Sequence, residues 1–92
     1  MSTPIQAGRD NVDASLAGLD EALVQYSASP SSATKFEVDK AKAKTKLDVD
    51  KLEAEVYKAK LEVLDNFDRD NFDRILAWTA KVNARVFQAL DW

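Results

Sequence analysis

The chain has 92 residues, of which 46% are apolar and 32% charged in both signs, with a formal net charge of −3. That length allows one domain at most, and that apolar content takes the chain out of the class of intrinsically disordered sequences. The charge balance gives no reason to expect DNA or an anionic membrane as partner, and the absence of cysteine excludes both a disulfide framework and thiolate metal ligation.

The first eight residues, Met1 to Gly8, lack the basic start and apolar core of a secretory signal. The expectation is a protein made in the cytoplasm without a cleavable leader, with later export or incorporation into a particle left open. Pro4 is tolerated in a first helical turn. A helix is then predicted over about 8–27. Val12, Leu16, Leu19, Leu23 and Tyr26 are spaced 4, 3, 4 and 3, with Ile5 seven residues before Val12, a heptad-like seam. Ala14, Ala17, Gly18 and Ala22 keep its flanks thin enough for a neighbouring helix to come close.

Ser27 to Ser32 carries Pro30, which removes an amide donor and biases Ser29 away from helix. A turn is predicted over 28–33, with Ser31, Ser32 or Thr34 as cap and Thr34 with Glu37 as a capping box. So short a connection favours antiparallel neighbours, with Leu16, Leu19 and Leu23 set against Phe36, Leu47 or the region of Val49.

From Thr34 to Leu90 there is neither proline nor glycine. The sequence predicts a long helix over about 34–90, roughly 85 Å at ~1.5 Å per residue. Within it Val49, Leu52, Val56, Ala59 and Val63 repeat at 3, 4, 3 and 4. Asn66-Phe67-Asp68-Arg69-Asp70 is followed by the near-copy Asn71-Phe72-Asp73-Arg74-Ile75, the least helix-favouring part of the run. The fold expectation is therefore all-α: one helical domain, a hairpin of a short N-terminal and a long C-terminal helix, coiled-coil-like and oligomeric. The alternative is a three-helix bundle with a break near Asn71, capped by Asp70 or Asn71.

The last stretch holds Ile75, Leu76, Trp78, Val82, Val86, Phe87, Leu90 and Trp92, fanned over an arc of roughly 220° at ~100° per residue. A helix docked on one neighbour needs only about 100°. The candidate protein interface is accordingly Val49, Leu52, Val56 and Val63 together with Ile75, Trp78, Val82, Val86, Phe87, Leu90 and Trp92. Replacing Trp78 or Phe87 by alanine is expected to disperse an assembly with helix content retained. Charge is also segregated: five lysines against two acids over 35–46, and five acids against two arginines over 62–74. A basic collar of one subunit could face an acidic collar of another.

Signals for chemistry are weak. Histidine is absent along with cysteine, which removes the commonest general base and metal ligands, and no catalytic, cofactor or metal site is expected. The cluster of Asp65, Asp68, Asp70 and Asp73 lacks the glycine turn and terminal Glu of a calcium loop and alternates with Arg69 and Arg74. Lys35, Lys40, Lys42, Lys44 and Lys46 are interleaved with Glu37 and Asp39 and have no stacking aromatic, so a solvated helix face accounts for them better than nucleic acid does. Trp78 and Trp92, beside Lys81 and Arg85, suit protein contact better than a membrane interface.

The layout of a shorter helix, a Pro/Ser turn at Ser29-Pro30-Ser31-Ser32 and a longer helix to the C-terminal end resembles the subunits of type III secretion needles and related helical-hairpin filaments. The resemblance implies a self-assembling, non-enzymatic subunit of a filament, needle, or virion- or portal-associated particle, whose partners are further copies or other helical proteins. A small helical adaptor or chaperone for a client helix is the alternative.

Overall fold

The computed structural model describes residues 4–62 and 66–89, with backbone alone for Asn66 and Phe67. Three helices make up these residues: α1 (Pro4–Ala28), α2 (Ser32–Glu62) and α3 (Asn66–Gln88). α1 and α3 each pack on α2. The described residues measure 51 × 23 × 15 Å, with a Cα radius of gyration of 15.3 Å.

α2 is the central element because its inward face is apolar along most of its length. Val38, Thr45, Val49, Leu52 and Val56 are buried and follow spacings of 7, 4, 3 and 4. α1 meets this face with Val12 and Leu19, fully buried, and with Ile5 and Tyr26 half-buried one heptad to either side. Gly8, Ser15 and Ala22 sit three residues after Ile5, Val12 and Leu19. This row of small residues lets the two helices approach. A Cβ built on Gly8 would lie 3.0 Å from Leu52 Cδ1, whereas one on Gly18 meets nothing within 4 Å. The close approach expected around Ala14, Ala17 and Gly18 therefore falls at Gly8, since those three residues are exposed. Gly18→Ala should stabilise the protein by about 0.5–1 kcal/mol, the helix-interior penalty of glycine without a compensating clash; a lowered urea midpoint would contradict this.

α1 and α2 are antiparallel, as the short connection requires. Ser31 caps α2. Its Oγ accepts the Thr34 amide at 3.1 Å while Thr34 Oγ1 accepts the Ser31 amide at 2.9 Å. The capping box is thus Ser31 with Thr34, three residues before the Thr34–Glu37 pair suggested by sequence. A Thr at the third helical position does the work of the usual Glu or Gln. Thr34 Oγ1 also donates to the Ser29 carbonyl, which ties the end of α1 to the start of α2 across Pro30.

The uninterrupted helix expected over 34–90 is not present. α2 ends at Glu62 and α3 begins at Asn66, and the residues between lie outside the described range. α3 runs back along α2: Lys60 Nζ is 2.6 Å from Asp73 Oδ1, and Asn83 Nδ2 donates to Glu53 Oε1 at 3.2 Å. Of the two expectations, three helices is the one observed, with the new helix starting five residues before Asn71. The physical cause is the Asn/Asp content of the five-residue repeat, whose side chains compete for backbone groups and favour helix starts. The first copy of the repeat, not the second, opens α3. Burial drives the return: Thr79, Val82 and Val86 are buried, and Phe72, Ile75 and Ala89 pack on the core at spacings of 3 and 4.

α1 and α3 run in the same direction and touch through long side chains. The Arg9 guanidinium lies 5.0 Å from the centroid of the Trp78 ring, and Arg85 pairs with Asp20. The Arg85–Asp20 pair is about half exposed on both sides, so it orients α3 more than it stabilises the fold.

Candidate functional site: the outward face of α2

The residues expected to form an interface divide into three groups. Val49, Leu52, Val56, Val82 and Val86 are buried within the chain. Ile75 and Trp78 are half-buried against that core. Their apolar surface is consumed by the packing of α1 and α3 on α2. Phe87 is 78% exposed and points away from the core. Val63, Leu90 and Trp92 lie outside the described residues. α3 packs beside α1 against the second half of α2, meeting it at Glu53 and Lys60.

A different apolar surface is left to solvent. Phe36, Leu47, Tyr57 and Leu61, all on α2, are 63%, 53%, 55% and 87% exposed. At ~100° per residue, Phe36, Leu47 and Leu61 fall within about 40° of one another, on the side of α2 roughly opposite its buried residues, with Tyr57 at the edge of the stripe. Exposed Ala43 and Ala54 lie on the same stripe. With Lys40 and Asp50 these residues complete an unbroken series, Phe36, Lys40, Ala43, Leu47, Asp50, Ala54, Tyr57 and Leu61, at alternating spacings of 4 and 3. That is a second coiled-coil seam on the back of the first. Sequence reasoning set Phe36 and Leu47 against α1; the structure turns both outward, and Val38 and Thr45 take the core positions instead. The signal was available in the spacing, but two seams on one helix overlap in sequence and only the packed partner separates them. Lys40 Nζ lies 5.9 Å from the Phe36 ring centroid.

Polar groups in the interior are satisfied locally. Thr45 Oγ1 donates to the Ala41 carbonyl and Thr79 Oγ1 to the Leu76 carbonyl, at 2.8 and 2.7 Å. Between α1 and α2, Ser15 Oγ donates to Asp48, and Lys44 Nζ donates to both Asp48 Oδ2 at 3.0 Å and Ser15 Oγ at 3.1 Å. The Asp48 side chain is only 11% exposed. Burial pushes its carboxyl up, but the Ser15 and Lys44 hydrogen bonds and the charges of Lys44 and Lys51 outweigh it, so its pKa lies below the ordinary carboxylate value. A lowered folded-state pKa contributes stability that is fully present above the unfolded value and is lost as pH falls through the folded one. Ser15→Ala should therefore cost about 1 kcal/mol at pH 7 and progressively less below pH ~4, around the unperturbed carboxylate value. Urea titrations at pH 7 and pH 2.5 check this; a cost that does not change with pH would contradict it.

A cleft of about 500 Å³ opens between the start of α1, the end of α2 and the start of α3. Pro4, Ile5, Ala59 and Phe72 line it, with Glu55, Lys58, Glu62 and Asp68 at its edge. It holds no nucleophile–base pair. Among the described residues no group of three or more acidic side chains converges as a metal site would require, and no helix is long and apolar enough to cross a membrane. Compared with protein-family models, with curated proteins and with solved structures, the chain matches none.

Proposed function

We propose that the protein is a non-enzymatic structural subunit that associates with further copies of itself through helix packing. The observation that carries this reading is the outward stripe of α2, where Phe36, Leu47, Tyr57 and Leu61 are each more than half exposed. They share one stripe of α2, with Lys40 and Asp50 set among them, instead of lying scattered, and apolar side chains gathered on one exposed helix face are what a partner surface looks like. Membership of a filament, needle or virion-associated particle belongs to the same proposal. An open array needs two dissimilar contact surfaces, and exposed Phe87 on α3 offers a second, separate from the α2 stripe.

Sedimentation velocity over a dilution series tests the reading. The expected result is a mass that rises with concentration, and a strict monomer at the highest concentration would overturn it. An adaptor role toward a client protein is the second reading. The cleft at Pro4, Ile5 and Phe72 favours it, because an apolar groove between helices can receive a helical segment. A stoichiometric foreign partner on purification from the source, without self-association, would select that reading.

A further inference from the structure

We infer that the outward seam of α2 receives the same seam of a second copy, antiparallel about a two-fold axis passing between Asp48 and Val49. This deepens the self-association proposed above and rests on it. The partner is read from the order of residue types along the seam. In the antiparallel register Phe36 meets the partner's Leu61, Lys40 the partner's Tyr57, Ala43 the partner's Ala54 and Leu47 the partner's Asp50, while the two Leu47 side chains approach diagonally across the axis. Large side chains then face large ones at the ends and alanine faces alanine between, with one mixed Leu47–Asp50 layer on either side of the axis. The row from Phe36 to Leu61 is about 37 Å long.

Charge selects the same register. The first half of α2, residues 35–46, has five lysines and two acids, and the second half, 47–62, has five acids and three lysines. Antiparallel pairing sets each basic half against the partner's acidic half. Beside the seam it brings Asp50 to the partner's Lys46, Lys40 to the partner's Glu55, and Glu37 to the partner's Lys58, each twice by symmetry. Two like pairs oppose this: Lys44 with the partner's Lys51, where Lys44 is already bonded to Asp48 and Ser15, and the two Asp50 side chains across the axis, each flanked by the partner's Lys46. The parallel in-register alternative stacks Lys40 on Lys40 and Asp50 on Asp50 within the seam itself and sets like halves together, which excludes it on electrostatic grounds.

Cysteine pairing tests the register, since the chain has no cysteine of its own. Ala43 and Ala54 are exposed and stand about 16 Å apart along one helix, too far for a bridge within a chain. The doubly substituted Ala43→Cys, Ala54→Cys protein should give a covalent dimer on mild oxidation, with peptide mapping locating the bond between position 43 of one copy and 54 of the other. Neither single variant should cross-link. Leu47→Glu should raise the dimer dissociation constant about 100-fold, since both copies lose the contact, with far-UV circular dichroism unchanged because Leu47 is outside the core. Cross-linking of either single variant, or a wild type that associates while Leu47→Glu associates equally well, overturns this geometry and leaves self-association standing. A wild type that stays monomeric in sedimentation overturns both.

Discussion

Leu52→Ala is expected to cost the fold about 3 kcal/mol, within the ~2–5 kcal/mol range for truncating a buried leucine. For a chain of this length, total stability is of the order of 5–14 kcal/mol, so the loss is a large fraction of the whole. Leu52 is fully buried on α2, and its Cδ1 lies at the spot where a Cβ on Gly8 would come within 3.0 Å. That contact makes the two positions interdependent. In the parent, Gly8→Ala should be nearly neutral, because the helix-propensity gain of about 1 kcal/mol is offset by displacement of a buried side chain. In the Leu52→Ala background the obstructing methyl is gone, and the same change should stabilise by about 1 kcal/mol. Urea titration of the four proteins measures the coupling; strict additivity would show that α1 and α2 do not meet at Gly8.

Trp78→Ala should lower stability by about 3 kcal/mol, whereas Phe87→Ala should change it by less than about 0.5 kcal/mol. Trp78 packs against the core and carries Arg9 over its ring at 5.0 Å, so its loss removes apolar burial and a cation–π contact together. Phe87 is 78% exposed and has little burial to lose within the chain. Thermal unfolding at a concentration dilute enough to suppress association separates the two. Equal effects on stability would mean that α3 does not dock with Trp78 against α1 and α2. Sequence reasoning expected both substitutions to act on assembly with the fold intact; the burial of Trp78 against the core makes its loss a change in stability instead, and a contact role for Phe87 belongs to the proposal above.

The all-helical class, the antiparallel start and the shared apolar face of Val49, Leu52 and Val56 were legible in the sequence, because heptad spacing records which residues share a helix face; sequence reasoning gave that face to contacts between chains, and the structure buries it within one chain. Two features were not. The end of α2 at Glu62 was hidden because a segment without proline or glycine is permissive of helix throughout. The repeat beginning at Asn66 and again at Asn71 offers two equivalent helix starts, and the burial of Thr79, Val82 and Val86 against α2 is a tertiary effect that no local signal carries. The outward face of α2 was hidden for another reason. Apolar residues on opposite sides of one helix weaken the apparent amphipathicity, and Phe36 and Leu47 are as hydrophobic as the residues that do reach the core. Thr45 and Ser15, by contrast, were passed over as polar. Their hydroxyls are satisfied by the Ala41 carbonyl and by Asp48, which is what allows them to occupy buried positions.

Small-angle X-ray scattering over a concentration series tests the account most directly, because it reads the fold and the association in one experiment. The Cα radius of gyration of the described residues is 15.3 Å, whereas an unbroken helix of ~85 Å would by itself give about 25 Å. The account predicts a value near 15–17 Å extrapolated to zero concentration, slightly above the Cα figure for side chains and hydration, rising as the concentration increases and copies pair through α2. A value near 25 Å at infinite dilution would contradict the return of α3 onto α2, and a small radius that stays constant at every concentration would contradict association.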